Sequence, residues 1–157
     1  MTATTNEMAR QPSVNWIGFG LVAVVLAAIA FFLSPNAPLG AFWLPAPDMP
    51  MPSAWQLPLF ILLNVAEVVT FGIGVAFLFF GLPLMRAIGP ASLGLTRAAQ
   101  VSIGWLLLNW WPHDSLHVHI GMALNGLLVI EYVFHITLMI AGVILAWFFL
   151  MLQRQTT

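Results

Sequence analysis

The chain contains neither cysteine nor lysine, and these two gaps remove whole classes of chemistry. Without cysteine there is no disulfide, no thiolate zinc site, no iron–sulfur cluster and no covalently attached c-type haem. Without lysine no Schiff-base cofactor can be carried. Charge is scarce too: Asp, Glu, Lys and Arg make up 6% of the 157 residues, where roughly 25% is usual in soluble domains. The only cations are Arg10, Arg86, Arg97 and Arg154, and the net charge is -1, so the sequence offers no basic surface and excludes nucleic acid as a partner.

What the chain does have is apolar surface, with 61% of its residues hydrophobic. The bilayer is the natural solvent for such a composition, and each helical crossing takes about 20 apolar residues. Four apolar runs, at 14–33, 55–82, 93–111 and 127–152, predict an all-α fold: an integral membrane four-helix transmembrane bundle forming one domain over 14–152. Residues 1–13 are polar and aperiodic and are expected to be a disordered tail, with a second short tail at 153–157. The first run is longer than a signal-peptide core and is followed at once by Pro35 and Pro38, so it is taken as a retained span.

The connections are marked by breakers. Residues 34–54 are dense in proline and cannot continue a helix, so they form the first outer loop. Pro58 falls in the first turn of the second run, where its missing N–H costs little, and that run ends before Pro83. Gly89 and Pro90 interrupt the next connection, with Ser92 placed to cap the third helix, and Asn125–Gly126 precede the fourth. The strictly apolar part of the third run, roughly 14 residues, rises only about 21 Å against a hydrocarbon core of about 30 Å. Either Arg97 snorkels at one end of it, or the segment after Trp111 dips into the membrane at the other.

Orientation follows from the arginines. Arg10, Arg86, Arg97 and Arg154 all fall on one side of the four spans, and the first and third connections contain none. The positive-inside pattern places both termini in the cytoplasm, in a membrane of the bacterial inner (plasma) type. Trp16 and Trp147 lie near the cytoplasmic ends, and Trp43, Trp55, Trp110 and Trp111 near the outer ones, which agrees with that frame.

The outer face carries the residues able to do chemistry. Trp110 to His119 reads WWPHDSLHVH, three imidazoles and a carboxylate in close succession, and forms the second, His-rich outer loop. The fourth histidine, His135, lies on the helix leaving that loop, with Glu131 four residues before it on the same helical face. On the second helix Glu67 and Asn64 share a stripe, and Glu67 lies about 15 Å from the outer end, near the midplane. A carboxyl at that depth is costly and marks a functional position, with His135 and through it Glu131 as its expected partners.

Imidazole and carboxylate together suit zinc, iron, copper or manganese. The candidate metal ligands are therefore His113, Asp114, His117, His119, Glu131, His135 and Glu67. A helical conformation would put His113 and His117 on one face, an extended one His117 and His119, while Asp114 or Glu131 could instead orient an imidazole through its other ring nitrogen. Asp48, Met49 and Met51 in the first outer loop add a weaker copper cue.

The function expected on these grounds is a metal-binding protein of the membrane, in metal handling or metal-dependent redox or hydrolytic chemistry, with a divalent or copper ion as cofactor. Two alternatives stand beside it. One is a b-type haem electron-transfer protein with His135 and a loop histidine as axial ligands. The other is an accessory or proton-conducting subunit of a larger membrane complex. Simpler readings also exist: solvated loop histidines, a Glu131–His135 hydrogen bond that only glues helices, and a Glu67 paired with a neighbouring chain. Besides the lipid bilayer, a homo-oligomer is possible through Gly72, Gly74, Gly121 and Gly142.

Overall fold

The protein is described here by a computed structural model covering residues 13–35, 37–89 and 91–156. The expected tail at 1–13 lies outside the described residues but for Ser13. Among the described residues every regular element is helical. The elements are α1 (Trp16–Leu33), α2 (Leu57–Phe80), α3 (Leu82–Ile88), α4 (Leu93–Leu108), α5 (Trp110–Ile120), α6 (Leu124–Ile130) and α7 (Ile136–Thr156), with a single π-helical stretch, Glu131–His135, joining α6 to α7. A 3-10 turn, Gly40–Trp43, interrupts the proline-rich connection between α1 and α2.

Three helices are long and apolar enough to cross a membrane: Trp16–Leu33, Leu57–Phe80 and the combined Leu124–Arg154. The fourth apolar helix, Leu93–Leu108, is shorter. Their outer surfaces are apolar all round, with Ile17, Leu21 and Val24 of α1 and Met139, Val143 and Trp147 of α7 all exposed. Helices of this kind bury no amphipathic stripe and take lipid as their solvent.

The breakers act largely as their chemistry dictates. Pro58 sits in the first turn of α2, and the Ser92 hydroxyl caps α4 by accepting from the Leu95 amide at 3.3 Å. Three connections differ from expectation. Pro83 does not open a loop: after Gly81 it enters the first turn of α3, where an N–H would have no helical partner in any case. The His-rich segment is not a loop but the helix α5, because Asn109 keeps right-handed helical angles and Pro112 falls in the helix's first turn. Asn125 and Gly126 lie inside α6, and the chain turns earlier, at Gly121, whose positive φ of 61° suits glycine.

Packing is serial. α1 lies on α2, α2 on α4 and α4 on α7, while α1 and α7, at the two ends of this order, share no comparable interface. The four long helices thus form a row rather than a ring, which narrows the bundle expected from sequence. The joints are made by small residues and a few large ones. Ala30, Val68 and Trp111 tie α1, α2 and α5 together, and Met85, Ala99 and Phe148 tie α3, α4 and α7. Most buried polar groups are matched: the last turn of α2 leaves carbonyls without full helical partners, and the Gln100 amide of α4 donates to Phe77 O at 3.0 Å and Leu78 O at 2.9 Å. The Trp111 indole donates to Ser34 Oγ at 3.0 Å, and Ser34 donates to Ala30 O at 2.9 Å, which fastens the start of α5 to the end of α1.

The α1–α2 joint is a backbone-to-backbone approach. A Cβ at Gly72 would stand 2.2 Å from the carbonyl oxygen of Ala23, which is rigid helix backbone and cannot give way. Gly72→Val should therefore push α1 off α2 and lower stability in detergent by about 1–3 kcal/mol. Gly142→Ala, where nothing lies within 4 Å of the new carbon, should be neutral or slightly stabilising. Denaturant titrations followed by tryptophan fluorescence check both, and equal effects would contradict the close approach.

Candidate functional site

Because α5 is helical, His113 and His117 fall on one face and His119 does not. α5 packs against the middle of α2, where Phe71 meets Trp111 with ring centroids 4.9 Å apart. The first two turns of α2 extend past this contact, with Leu57, Leu59, Phe60 and Leu62 exposed. α5 therefore lies alongside the helix row, level with Glu67, which is how a short α4 is compensated. The other wall of the site is the π-helical turn. There the Ile136 amide bonds Glu131 O, five residues back, so one residue more than an α-turn is fitted in and the side chains of 131–135 are re-aimed. The Thr137 hydroxyl donates back into the turn, where Val133 O at 2.5 Å and Phe134 O at 3.0 Å share its one hydrogen, and accepts from the Trp105 indole at 2.9 Å, tying the turn to α4.

Between these walls five titratable side chains are linked in sequence. Glu67, buried on α2, has Asp114 of α5 as its neighbouring carboxyl. Asp114 Oδ1 is 3.0 Å from His113 Nδ1. His113 Nε2 is 3.2 Å from His135 Nε2, and His135 Nδ1 is 2.6 Å from Glu131 Oε2. The expected partner of Glu67 is thus corrected: it meets Asp114, not His135. The expected pairing of Glu131 with His135 is present, though across a π-turn rather than an α-turn.

The middle of this chain is chemically unusual. A carboxylate only accepts, so with Asp114 and Glu131 ionised each Nδ1 must carry the hydrogen, and each Nε2 then presents a lone pair. In that tautomer pair two lone pairs face each other across 3.2 Å. Such a contact is repulsive unless a cation lies between the nitrogens, either a proton or a metal ion. The pair rests on an aromatic floor: His113 meets Phe134 edge-on at 5.3 Å, and Phe134 stacks on Trp105 at 5.9 Å.

His117 packs edge-on to His113, with ring centroids 4.6 Å apart. His119 is not part of the cluster. Its Nδ1 is 3.0 Å from Leu44 O, and its ring lies against Trp43. That contact belongs to a strap in which Ala46 N donates to Val118 O at 2.9 Å and Met122 N donates to Asp48 Oδ2 at 3.0 Å. Asp48 is thus occupied in closing the Gly121 turn, and Met51 stands exposed. Among the described residues no group of three or more His, Cys, Asp or Glu is arranged to hold a metal ion. A cavity of about 290 Å³ lined by Arg86, Gly89, Ala91, Leu93 and Thr96 lies at the far end of α4 and does not border the cluster.

Sequence reasoning missed Trp105 and Phe134, which build the floor of the site. Trp105, Asn109, His113 and His117 follow one another at intervals of four, and that spacing is the signal that could have grouped Trp105 with the histidines, whereas Phe134 carries no such signal. No family model, no curated protein and no solved structure matches this chain.

On α5, which is not one of the spans, burial and then the neighbouring His113 hold the His117 imidazole below its ordinary value. The unfolded chain therefore binds the His117 proton more readily than the folded one, and stability rises with pH across the interval between the two values. The contribution is full at neutral pH and is lost as pH falls through the ordinary imidazole value of about 6.5 and below. Detergent-solubilised protein should lose melting temperature between pH 8 and pH 5, and His117→Gln should lose measurably less over the same interval. An identical pH slope in the variant would remove His117 from the account.

Proposed function

We propose that this chain is a four-span integral membrane protein of the bacterial inner-membrane type, with both termini cytoplasmic, which holds a transition-metal ion between His113 and His135 on its outer side, level with Glu67. The reading rests on one observation: two imidazoles, each with Nδ1 on a carboxylate, turn their Nε2 atoms toward each other at 3.2 Å. Carboxylate, imidazole and metal in line is the arrangement by which proteins fix the tautomer of a ligating histidine and raise its basicity. With metal–nitrogen bonds of about 2.0–2.1 Å, an ion bound to both nitrogens across 3.2 Å subtends an angle of about 100°, close to tetrahedral.

On this reading His113 and His135 are ligands, Asp114 and Glu131 orient them, and His117 is the nearest further imidazole. Glu67 acts through Asp114, and His119 belongs to the strap. Two protein nitrogens leave coordination positions for water, substrate or another donor, as an ion that is handed on or that does chemistry requires. The ion's identity within zinc, copper and iron follows from no residue here, since imidazole serves all three. The spacing favours a bare ion over haem, whose two axial bonds of about 2 Å on opposite sides of the iron would hold the nitrogens about 4 Å apart with the macrocycle between them.

Protein purified in detergent and loaded with Co²⁺, Zn²⁺ or Cu²⁺ should retain one ion per chain after desalting. His113→Ala and His135→Ala should each abolish retention, while Asp114→Asn and Glu131→Gln should weaken affinity by about 10–100-fold. Metal content that is absent, or indifferent to both histidines, would remove the metal reading and leave the cluster as a proton relay in a membrane subunit. A Soret band in the purified protein would instead establish haem. Compartment-specific reporters fused to either end should both read cytoplasmic, and a split result would overturn the four-span topology.

A further inference from the structure

Asn109 is the junction residue between α4 and α5, and it is fully buried, at 0% exposure. Its amide nitrogen is used: Nδ2 donates to Trp105 O at 2.6 Å. Its carbonyl is not: Oδ1 is buried with no hydrogen-bond partner. A buried acceptor left unsatisfied forfeits its hydration with nothing in return, so its presence in an otherwise largely matched interior calls for a partner. Because Nδ2 is tied back to the preceding turn, the carboxamide cannot swap its ends to relieve the cost.

The position of the residue indicates that partner. Asn109 precedes His113 by four residues and caps the start of α5 with helical backbone angles, His113 N donating to Asn109 O at 3.0 Å. Residues so spaced share one helical face, and two donors at this interval can grip a single ion from one helix. Trp105 before it and His113 after it both touch Phe134, so Asn109 belongs to the face of α4–α5 turned toward the π-helical wall. A side-chain amide oxygen is a neutral, hard donor that binds a cation without adding charge to an apolar interior.

We infer that Asn109 Oδ1 is the third protein donor to the cation held by His113 and His135, making the site two nitrogens and one amide oxygen. This rests on the metal reading above and extends it. It explains how a site lacking three His or carboxylate ligands can still be facial and open, and why a buried carbonyl is left without a hydrogen-bond partner.

Co²⁺ is the probe, since its visible bands report donor number and type. Asn109→Leu removes the oxygen and keeps the volume. It should weaken Co²⁺ binding at least 10-fold and shift the visible bands, while the metal-free protein stays folded. Asn109→Asp keeps an oxygen and adds a charge. Its metal-free form should melt lower than wild type, and Co²⁺ should raise its melting temperature by more than it raises that of the wild type, because binding to the folded state alone stabilises it. If wild type binds Co²⁺ and both variants bind it with unchanged affinity and spectrum, Asn109 is not a donor and the His113–His135 site stands alone. If Asn109→Leu does not fold, the Asn109→Asp comparison decides by itself. If wild type retains no Co²⁺, the metal reading and this inference fall together.

Discussion

The structure around the cluster turns on committing both Nδ1 atoms of an imidazole pair to carboxylates. Where Asp114 and Glu131 accept those two hydrogen bonds, His113 and His135 meet at 3.2 Å favourably only by way of a further proton or cation at Nε2. Holding the two rings in this register needs rigid supports on both sides. α5 supplies one, anchored by the Trp111 indole to Ser34 and wedged against Phe71. The π-turn supplies the other, with Thr137 and Trp105 bonded across to α4. Each support is placed by a local irregularity, the helix restart at Asn109 or the inserted residue at 131–135. A regular α-helix at either place would re-aim its histidine.

The low charge of the chain sharpens this. In hydrocarbon an unpaired polar group has no water to fall back on, so polar side chains must find each other or the backbone. Gln100 does so on the final carbonyls of α2, and Ser34 on Ala30 O. The clustered titratable groups go further, since Glu67, Asp114, His113, His135 and Glu131 are linked nearly end to end across three elements that are distant in sequence. Structural glue would need one such bond at each helix joint. Five groups gathered in one cluster exceed that requirement.

Legibility from sequence divides along the range of the interactions. The apolar runs are set by composition over some twenty residues, and the structure has helices at all four. The Pro58 and Ser92 signals act over a single turn and were legible for that reason. Glu131 and His135 could be paired because their spacing is local. The partner of Glu67 was misread because it depends on the depth at which α5 docks on α2, a quantity no local pattern carries. α5 itself was hidden by its composition, as histidine, aspartate and proline lower helix propensity, whereas packing against α2 and the Ser34 bond override that preference. The π-turn had no signature at all: one residue in excess within an apolar helix looks like any other.

Exposure is not uniform along the cluster. The His113 side chain is 11% exposed, whereas those of Asp114, His135 and Glu131 are 42%, 40% and 59% exposed. His113 is thus the shielded member, lying on the aromatic floor, while Asp114 on one side of it and the His135–Glu131 pair on the other reach the surface. The two rings are therefore held from their exposed flanks, by Asp114 on one side and Glu131 on the other, while His113 lies against Phe134, which stacks on Trp105.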